Sequence, residues 1–477
     1  MPGKYFFFIL CFISTSLFAK NHLVELRALD AEALADYLTE RGYDIPGHVE
    51  ATGKVDVVTE NPEALQQLAA KLASHAKLKF EVRQITPTES YRRFAGTGVA
   101  DFIEAYYDRE ESLKVLQTLE RDYPDYARVY NLNEWLGLPK TPDGNSLYAL
   151  QVSARPGVVE DEPKMIVIGQ HHAREVTTHH IVLDSATALL KSVAAGEASA
   201  QKVVKDSSVW FVPVVNPDGL QHVFDVDRMW RKNRAHNSDG SRGVDLNRNY
   251  AFKWGACGMN SAIGSSEVFK GPAPQSEIEV QVMDKLNAKL RAEYVLSFHS
   301  YGNEVLYPYL CGEMAESEIY YGLRDRLADE LGYGMRVGSA SGEDFEQHYA
   351  RYGSLAFLVE VGTTFQPSFE TYKESIWPTI GKAVPFILSE MHSTFVHIQV
   401  VDGATGAPLE AKLDLQEIDF KEGEVRSTDA FGSYRWRLSP GTYSLSVERE
   451  GYRRKTVPVV ASGRVDKLRI ELEKSGS

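Results

Sequence analysis

At 477 residues the chain is too long for one ordinary hydrophobic core, and its length predicts roughly three domains. Hydrophobic residues make up 43% of the chain and charged residues 25%, which is the usual balance of a globular protein. The formal net charge of -14 leaves no extended basic surface to neutralise phosphates, so nucleic acid is excluded as an expected partner.

The first residues, 1–19, are typical of a secretory signal peptide. A lysine is followed by an apolar run from Tyr5 to about Phe18, which is too short to span a bilayer comfortably. A short N-terminal membrane anchor is the alternative that this length leaves open. No second apolar stretch approaches membrane length, so we expect a secreted or periplasmic protein without a membrane span.

Two cysteines remain once that segment is set aside with its Cys11. Cys257 and Cys311 would then belong to an exported protein, where disulfides persist. The sequence leaves two alternatives open, one bridge between them or two partly buried thiols.

Residues 20–85 are predicted to form a small α+β domain. Alternating apolar residues predict its strands, and a 3.6-residue apolar period predicts its helices. The strands are HLVELRA (22–28), KVDVVTE (54–60) and KLKFEVRQI (77–85), and the helices are 30–42 and 61–75. The domain contains no constellation of catalytic residues. The polar, glycine-containing stretch 86–98 is predicted to be an exposed linker.

Residues 99–392 alternate long helical segments with short, continuously apolar runs. The runs are KMIVIG (164–169), VWFVPVV (209–215), YVLSFH (294–299) and LAFLVEV (355–361). Strands that are apolar on both faces are typical of a sheet covered by helices on both sides. We therefore predict an α/β domain with a mixed, mostly parallel central sheet. Sites in such sheets form where strands end.

Residues 393–474 have a different texture. Short alternating strands are separated by DG, TG, PG and EG turns, which predicts an all-β sandwich of roughly 80 residues.

The pair His172 and Glu175 is the first candidate for a metal site. A His-x-x-Glu spacing can bring an imidazole and a carboxylate to one Zn²⁺, but the spacing is weak, because His22 and Glu25 repeat it inside a strand of the first domain. His172 and Glu175 instead follow a buried strand and precede a helix, where α/β sites form. A catalytic zinc takes three protein ligands, and His299 at a strand end is the best third candidate. The simpler interpretation of His299 is a hydrogen-bonded core histidine.

Other polar clusters lie near the same strand ends. RMWRKNR (228–234) places four cations in seven positions, a run that usually forms a solvated face. GVDLNRN (243–249) follows it, and VNPDG (215–219) ends the second apolar run with a strong turn signal. Glu360 stands inside an apolar strand, where a carboxylate is costly unless it is paired or functional.

These motifs, in this order, resemble the zinc metallocarboxypeptidases of the carboxypeptidase A/B branch. They are HARE (172–175), NPDG (216–219), RMWRKNR (228–234), GVDLNRN (243–249), FHSYG (298–302) and LVEVG (358–362). The match spans about 100 to 392. Residues 20–85 resemble the activation propeptide of that branch. Residues 393–474 resemble the transthyretin-like domain usually attached to the N/E, or regulatory, branch.

The resemblance implies one Zn²⁺ per chain and assigns roles by position. It makes His172, Glu175 and His299 the zinc ligands. It makes Glu360 the general base and Arg231 the group that steadies the oxyanion. The residues implied to contact or support the rest of the site are Asn247 and Arg248 (substrate carboxylate), Arg174, Ser300 and Tyr301 (neighbouring subsites), and Asp245 (support of a zinc-bound histidine).

One position departs from the family pattern. The substrate-capping tyrosine, about 22 residues before the base, aligns with Gly338, and the nearby tyrosines are off register. Those tyrosines are Tyr333, Tyr349 and Tyr352. Without gaps, Phe345 takes the position that selects the terminal side chain and implies apolar or aromatic residues. A shift by one places Asp344 or Glu346 there and implies Lys or Arg.

We therefore expect a secreted zinc carboxypeptidase, made as a zymogen, that acts on the C-termini of peptides and proteins. An activating protease would cut near Arg92-Arg93, for which the alternative is an ordinary solvated linker. Two other functions are alternatives, a cell-wall peptidase that trims peptidoglycan stems and a non-catalytic binding protein. The second is disfavoured because no implied zinc ligand or base is missing. The sequence does not identify a ligand for the C-terminal β domain.

Overall fold

The computed structural model describes residues 105–475 continuously and, before them, 22–27, 34–35, 37–38, 41, 43–49, 54–59, 61, 63–65, 67–68 and 79–83. The predicted signal peptide and the predicted linker with Arg92-Arg93 lie outside the described residues. The chain divides into two compact units, Met1–Thr86 and Pro87–Ser477, and each is described by itself. Every helix in the described ranges falls short of the length and apolarity that a bilayer crossing needs.

The first unit contains a four-stranded antiparallel sheet in the order β2-β3-β1-β4. Its strands are β1 (His22–Arg27), β2 (Asp44–Val49), β3 (Lys54–Thr59) and β4 (Lys79–Arg83). Three of them were predicted, and β2 was missed. Its sequence DIPGHV contains a proline and a glycine, which occur mainly in edge strands and at bulges. β2 is an edge strand, and its pairing with β3 shifts register between Asp44 and Gly47.

The second unit is built on an eight-stranded mixed sheet in the order β11-β10-β12-β9-β7-β8-β6-β5. The central pairs β12/β9, β9/β7 and β7/β8 are parallel, as is the edge pair β10/β11. Antiparallel pairs join β10/β12, β8/β6 and β6/β5. The strands are β5 (Ala127–Asn131), β6 (Tyr148–Val152), β7 (Lys164–Gly169), β8 (Ser208–Val212), β9 (Tyr294–His299), β10 (Glu304–Tyr307), β11 (Gly334–Val337) and β12 (Leu355–Glu360).

Helices cover both faces of this sheet. The α-helices are α1 (Arg109–Asp122), α2 (Leu132–Leu136), α3 (Val176–Ala194), α4 (Ala198–Asp206), α5 (Pro217–Asp225), α6 (Ile278–Leu290), α7 (Ser317–Leu331), α8 (Asp344–Tyr352), α9 (Phe369–Thr371), α10 (Trp377–Ile380) and α11 (Ala383–Glu390). A 3₁₀ turn lies at Leu246–Arg248, and a π-helical turn at Tyr372–Ile376.

Strand β7 shows why the apolar runs were continuous. Met165 and Val167 pack into one hydrophobic core, and Ile166 and Ile168 pack into a second one on the opposite face. Successive side chains of a strand point to opposite faces, so a strand covered on both sides needs an apolar residue at every position. The predicted fold class, a mixed and mostly parallel sheet flanked by helices, is confirmed.

The last part of the chain forms two further sheets. One has the order β16-β13-β19 and the other β15-β14-β17-β18, and the core between them includes the buried Trp436. The strands are β13 (Phe395–Asp402), β14 (Lys412–Leu415), β15 (Arg426–Ser427), β16 (Ser433–Trp436), β17 (Gly441–Glu448), β18 (Lys455–Ala461) and β19 (Val465–Leu472). This is the predicted all-β texture.

Buried polar contacts join these sheets to the helices around the large sheet. Arg426 lies 2.5 Å from the carboxylate of Glu316, which also accepts from Trp436 Nε1 at 2.6 Å and from Tyr349 OH at 3.1 Å. The backbone N–H of Val425 donates to the last turn of α8. The C-terminal end of α8 is therefore fixed by the β-rich region.

The structure also decides one alternative that the sequence left open and corrects one interpretation. Cys257 and Cys311 form a disulfide. The NPDG segment, interpreted from the sequence as a turn, starts helix α5: the Asn216 side chain caps the Gly219 N–H at 2.9 Å, and Pro217 occupies the first turn. Asn before Pro is also a helix-start signal, which the turn prediction overlooked.

Candidate active site

Three strand ends bring the candidate residues to one edge of the large sheet. Strand β9 ends at His299 and β12 ends at Glu360, and these two residues face each other in the parallel pairing. Gly169, the last residue of β7, pairs with Phe298, so the loop that carries His172 and Glu175 begins beside them. Parallel strands end at the same edge, which explains why distant motifs meet here.

His172, Glu175 and His299 converge as a potential metal site. Their ligand atoms all lie within 4.8 Å of one another. Nδ1 of His172 lies 2.7 Å from Glu175 Oε1 and 3.2 Å from Nδ1 of His299, which lies 3.3 Å from Glu175 Oε2. Donors about 2 Å from a tetrahedral Zn²⁺ are about 3.3 Å apart, so the two-imidazole, one-carboxylate set fits zinc.

The pKa shifts of Glu175 and His299 also suit the binding of a cation. Burial raises the pKa of the Glu175 carboxyl, but His172 and His299 lower it by more, so its pKa lies well below the ordinary value. Burial lowers the pKa of His299. Neutral imidazoles and an ionised carboxylate are the forms that bind a metal.

Asp245 fixes the orientation of His172. Its Oδ1 lies 3.1 Å from His172 Nε2, and its Oδ2 accepts from Nε and Nη2 of Arg231 at 3.1 and 2.9 Å. A carboxylate on Nε2 holds the proton there and leaves Nδ1 as the metal donor. Burial raises the pKa of Asp245, but Arg231, His172 and Arg248 lower it to well below the ordinary value.

His171 is a neighbour of the centre rather than a member of the ligand cluster. Its ring stacks on that of His299 with centroids 5.2 Å apart, and its Nε2 lies 2.9 Å from the Tyr250 hydroxyl. Burial lowers its pKa to about 3. His171 therefore supports the His299 ring as a neutral packing partner.

Glu360 has a buried carboxylate oxygen and a raised pKa, as a general base would need. The residue is partly exposed, yet its Oε2 atom is buried and has no hydrogen-bond partner among the described residues. Burial, followed by the charge of Glu175, raises its pKa well above the ordinary value. Such a carboxylate takes up a proton more readily than an exposed one.

The basic run 228–234 does not form the solvated face that its composition suggested. Arg231 and Lys232 are buried. Arg231 pairs with Asp245, and Lys232 Nζ donates to the carbonyls of Gly264 and Ser266 at 2.8 and 2.9 Å. The structure thus fixes two of its cations in place.

Asn247 and Arg248 lie on the 3₁₀ turn, next to the start of α8. The Asn247 Oδ1 accepts from the N–H of Asp344 at 2.9 Å. The Arg248 Nη1 donates to the Asn247 carbonyl at 2.7 Å and to Glu343 Oε1 at 2.9 Å, and its Nε donates to the Met259 carbonyl at 2.7 Å. The pairing of Glu343 with Arg248 was not predicted from the sequence, because 95 positions separate the two residues.

The predicted subsite residues lie around the same centre. The Ser300 N–H donates to Glu175 Oε2 at 3.2 Å. The Arg174 guanidinium lies over the Phe365 ring, 4.2 Å from its centroid, and the Tyr301 ring meets the edge of the same phenyl group at 4.9 Å. Phe365 thus connects two predicted subsite residues and was not singled out in the sequence.

In the structure described, none of Tyr333, Tyr349 and Tyr352 reaches the cluster of candidate site residues. The hydroxyl of Tyr349 donates to Glu316 at 3.1 Å, that of Tyr352 donates to Asp284 at 2.8 Å, and Tyr333 packs against a hydrophobic core. A side chain at 338 would overlap the Glu343 carboxylate and meet the Phe345 ring at 2.9 Å. Gly338 therefore leaves the space that Glu343 and Phe345 fill.

The candidate ligands His172, Glu175 and His299 lie in a part of the chain that matches a known protein family. The model of the family described as "Zinc carboxypeptidase" matches residues 112–368, more than half of the chain. The chain belongs to the zinc carboxypeptidase family. The resemblance stated from the motifs is confirmed, and the cluster of His172, Glu175 and His299 is compatible with the family's zinc.

Curated zinc carboxypeptidase relatives match the chain over part of its length. Carboxypeptidase B of Astacus astacus is 31% identical over 209 residues, which cover 43% of this chain and 64% of that relative, less than two thirds of its length. A protein named "Inactive metallocarboxypeptidase ECM14" of Saccharomyces cerevisiae is 27% identical over 309 residues, 59% of this chain and 69% of that relative.

A solved structure shares the fold. The crystal structure of thrombin-activatable fibrinolysis inhibitor aligns with a TM-score of 0.64 at 22% identity and covers 78% of this chain and 99% of that one. At this identity the likeness concerns the fold alone.

Proposed function

We propose that this zinc carboxypeptidase family member is an active, zinc-dependent exopeptidase that removes the C-terminal residue of peptides and proteins. The observation that carries the proposal is the convergence of three ligand atoms beside Glu360, whose buried Oε2 has no hydrogen-bond partner in the described part of the chain. Activity needs its own test, because one relative in the family is named inactive.

The proposed roles follow from the positions of the side chains. His172, Glu175 and His299 would hold one Zn²⁺, which when bound activates a water molecule and polarises a carbonyl group. Glu360, with its raised pKa, would accept a proton from the attacking water and pass it to the leaving amine. Arg231 supplies a fixed positive charge for the oxyanion that develops on the substrate.

The terminal carboxylate would be recognised by Asn247 and Arg248. In the described part of the chain, Asn247 Nδ2 and Arg248 Nη2 make no hydrogen bond. A donor from each could bind a carboxylate. Recognition of that group is the reason to propose cleavage at chain ends. Arg174, Ser300 and Tyr301 would line neighbouring subsites.

We also propose that the protein is exported and made as a zymogen. The domains would be a signal peptide (1–19), a propeptide-like domain (20–85), a linker (86–98), a catalytic domain (99–392) and a transthyretin-like domain (393–474). The proposal rests on the resemblance of these segments and on the dibasic Arg92-Arg93. Activity that rises when a protease cuts at 86–98 would support it, and full activity of the uncut chain would oppose it.

The first experiment assays the purified chain, before and after limited proteolysis, on peptides that end in Arg, Phe, Leu or Glu. We expect release of one terminal residue that stops when a zinc chelator is added and returns with zinc. Mass spectrometry of the products identifies the residue. Release of internal fragments or of peptidoglycan amino acids alone would contradict the proposal.

A pair of variants tests the base. Glu360→Gln should lower kcat by about 10²–10⁴-fold while zinc content stays at one per chain. Glu304→Gln is the matched control, because Glu304 lies opposite Glu360 in the sheet but pairs with Arg336. The control should keep activity within a few-fold of the unmodified protein. Retained activity in Glu360→Gln would refute the assigned role.

A further inference from the structure

Glu343 forms an ion pair with Arg248, the residue that is proposed to recognise the substrate's terminal carboxylate. It precedes α8 as the N-cap residue, yet its side chain does not cap the helix. Its Oε1 accepts from Arg248 Nη1 at 2.9 Å, and its Oε2 accepts from the Ser339 N–H at 3.2 Å. The side chain is 2% exposed, and that of Arg248 is 4% exposed, so water screens this ion pair little.

The pocket for the Glu343 carboxylate is built by a glycine. A Cβ atom on Gly338 would overlap Glu343 Oε2. Gly338 is also the position where a capping tyrosine was expected. The position of the Glu343 side chain therefore depends on Gly338, because the Glu343 carboxylate fills the space that a side chain at 338 would take.

The remaining hydrogen-bonding capacity of Arg248 is small. Nε and Nη1 donate to the carbonyls of Met259 and Asn247, and Nη1 also donates to Glu343. Only Nη2 makes no bond within the ranges that the structure describes. A bidentate grip on a carboxylate needs two parallel N–H groups, and here one side of the guanidinium is already used.

The positive charge that Arg248 offers to a substrate is reduced as well. An ionised Glu343 neutralises Arg248, and a second carboxylate on the same guanidinium would be repelled by the first. Burial raises the pKa of the Glu343 carboxyl above its ordinary value, although Arg248 and Arg336 offset part of that rise. In its neutral form Glu343 still occupies Nη1 as an acceptor. Only the ionised form also cancels the charge of Arg248, and it is this form that weakens the preference for an anion over a neutral carbonyl.

We propose that Glu343 is a specificity-determining residue that lets this site accept peptides with a C-terminal carboxamide as well as a free C-terminal carboxylate. A carboxamide oxygen can accept from Nη2 and from Asn247 as a single carboxylate oxygen does. The reaction is the same hydrolysis of the last peptide bond, and the leaving group is an amino acid amide. This inference rests on the proposed peptidase function.

The test compares two peptides that end in the residue selected by the first experiment, one with a free carboxyl group and one with a carboxamide. The zinc-loaded protein should cleave both, with kcat/KM values within about 100-fold. Glu343→Gln should raise the acid-to-amide ratio at least about tenfold, through a lower KM for the acid and little change in kcat. A merely structural role would change both peptides alike.

Glu279→Gln is the matched control. Glu279 is also a buried glutamate near the start of a helix, but its side chain accepts from Asn233 at 3.3 Å and has no contact with Arg248. Its acid-to-amide ratio should equal that of the unmodified protein. If the acid-to-amide ratio of Glu343→Gln equals that of the unmodified protein, the proposal is overturned. So would a loss confined to peptides ending in Lys or Arg, which would make Glu343 a side-chain-selecting group.

A second measurement needs no variant. Inhibition of the unmodified protein by an N-acetyl amino acid and by its amide should give inhibition constants within about tenfold of each other. A much tighter acid would overturn the proposal. If the protein cleaves the free acid but never the amide, this inference fails alone. If it cleaves neither peptide with zinc present, the proposed function fails and the inference fails with it.

Discussion

Asp245 should be the side chain on which both zinc binding and the stability of the site depend. Its two oxygens serve different neighbours. Oδ1 accepts from the N–H of Asn247 at 3.0 Å and lies 3.1 Å from His172 Nε2, and Oδ2 accepts twice from Arg231. Asp245→Asn keeps the shape but replaces one acceptor oxygen with a donor. Whichever way the amide turns, one neighbouring donor then meets a donor.

The magnitude follows from which neighbour loses its partner. Removing the carboxylate from the buried Arg231 costs about 3 kcal/mol of unfolding free energy, since breaking a buried pair from one side costs about 3–5 kcal/mol and the amide recovers part. If the amide nitrogen faces His172 instead, the imidazole loses its orienting acceptor, and zinc affinity should fall about 10–100-fold.

Two assays separate these effects. Thermal or denaturant unfolding of the metal-free protein measures the stability term, and competition with a chelator of known affinity measures zinc binding. Asp239→Asn is the control, because Asp239 is exposed and its carboxylate accepts from the N–H and the hydroxyl of Ser241. If Asp245→Asn leaves both stability and zinc affinity unchanged, Asp245 does not act as a buried bridge.

Three further predictions concern stability. Replacing Cys257 and Cys311 by serine should lower the unfolding free energy by about 2–4 kcal/mol in a denaturant titration, because the bridge closes a loop with a separation of 54 residues. Burial and then Glu277 raise the pKa of Glu279 from its ordinary value of 4.5 to about 8. The folded state therefore binds this proton more tightly, stability should fall as pH rises from about 4.5 to 8, and Glu279→Gln should flatten that slope. Arg426→Met should lower the unfolding free energy by about 3 kcal/mol by removing the buried partner of Glu316, whereas the exposed Arg453→Met should change it by less than about 0.5 kcal/mol.

Local patterns predicted four of the eight strands of the large sheet, namely β7, β8, β9 and β12. KMIVIG and YVLSFH coincide with β7 and β9, and LAFLVEV exceeds β12 by one residue. VWFVPVV overshot β8, which ends at Val212 before a proline that cannot donate to the ladder. The edge strand β2 was missed because its proline and glycine look like a turn.

The assignment of the metal centre from the sequence needed distant motifs. The His-x-x-Glu spacing matched equally at 22–25, and only the order of the motifs favoured 172–175 over it. The structure brings His172, Glu175 and His299 together because parallel strands end at one edge of the sheet. The roles of Glu360 and Arg231, and those of Asn247 and Arg248, remain predictions for the experiments above.

The sequence alone determined where the apolar strands β7, β8, β9 and β12 form and which of their ends carry polar residues, because side-chain period is a property of short segments. Tertiary structure decided the partners. It paired Arg248 with Glu343, paired Cys257 with Cys311 and buried two cations of a run that looked solvated. Such pairings join residues far apart in the chain, and a buried charge is stable only where the packed fold supplies its counter-charge.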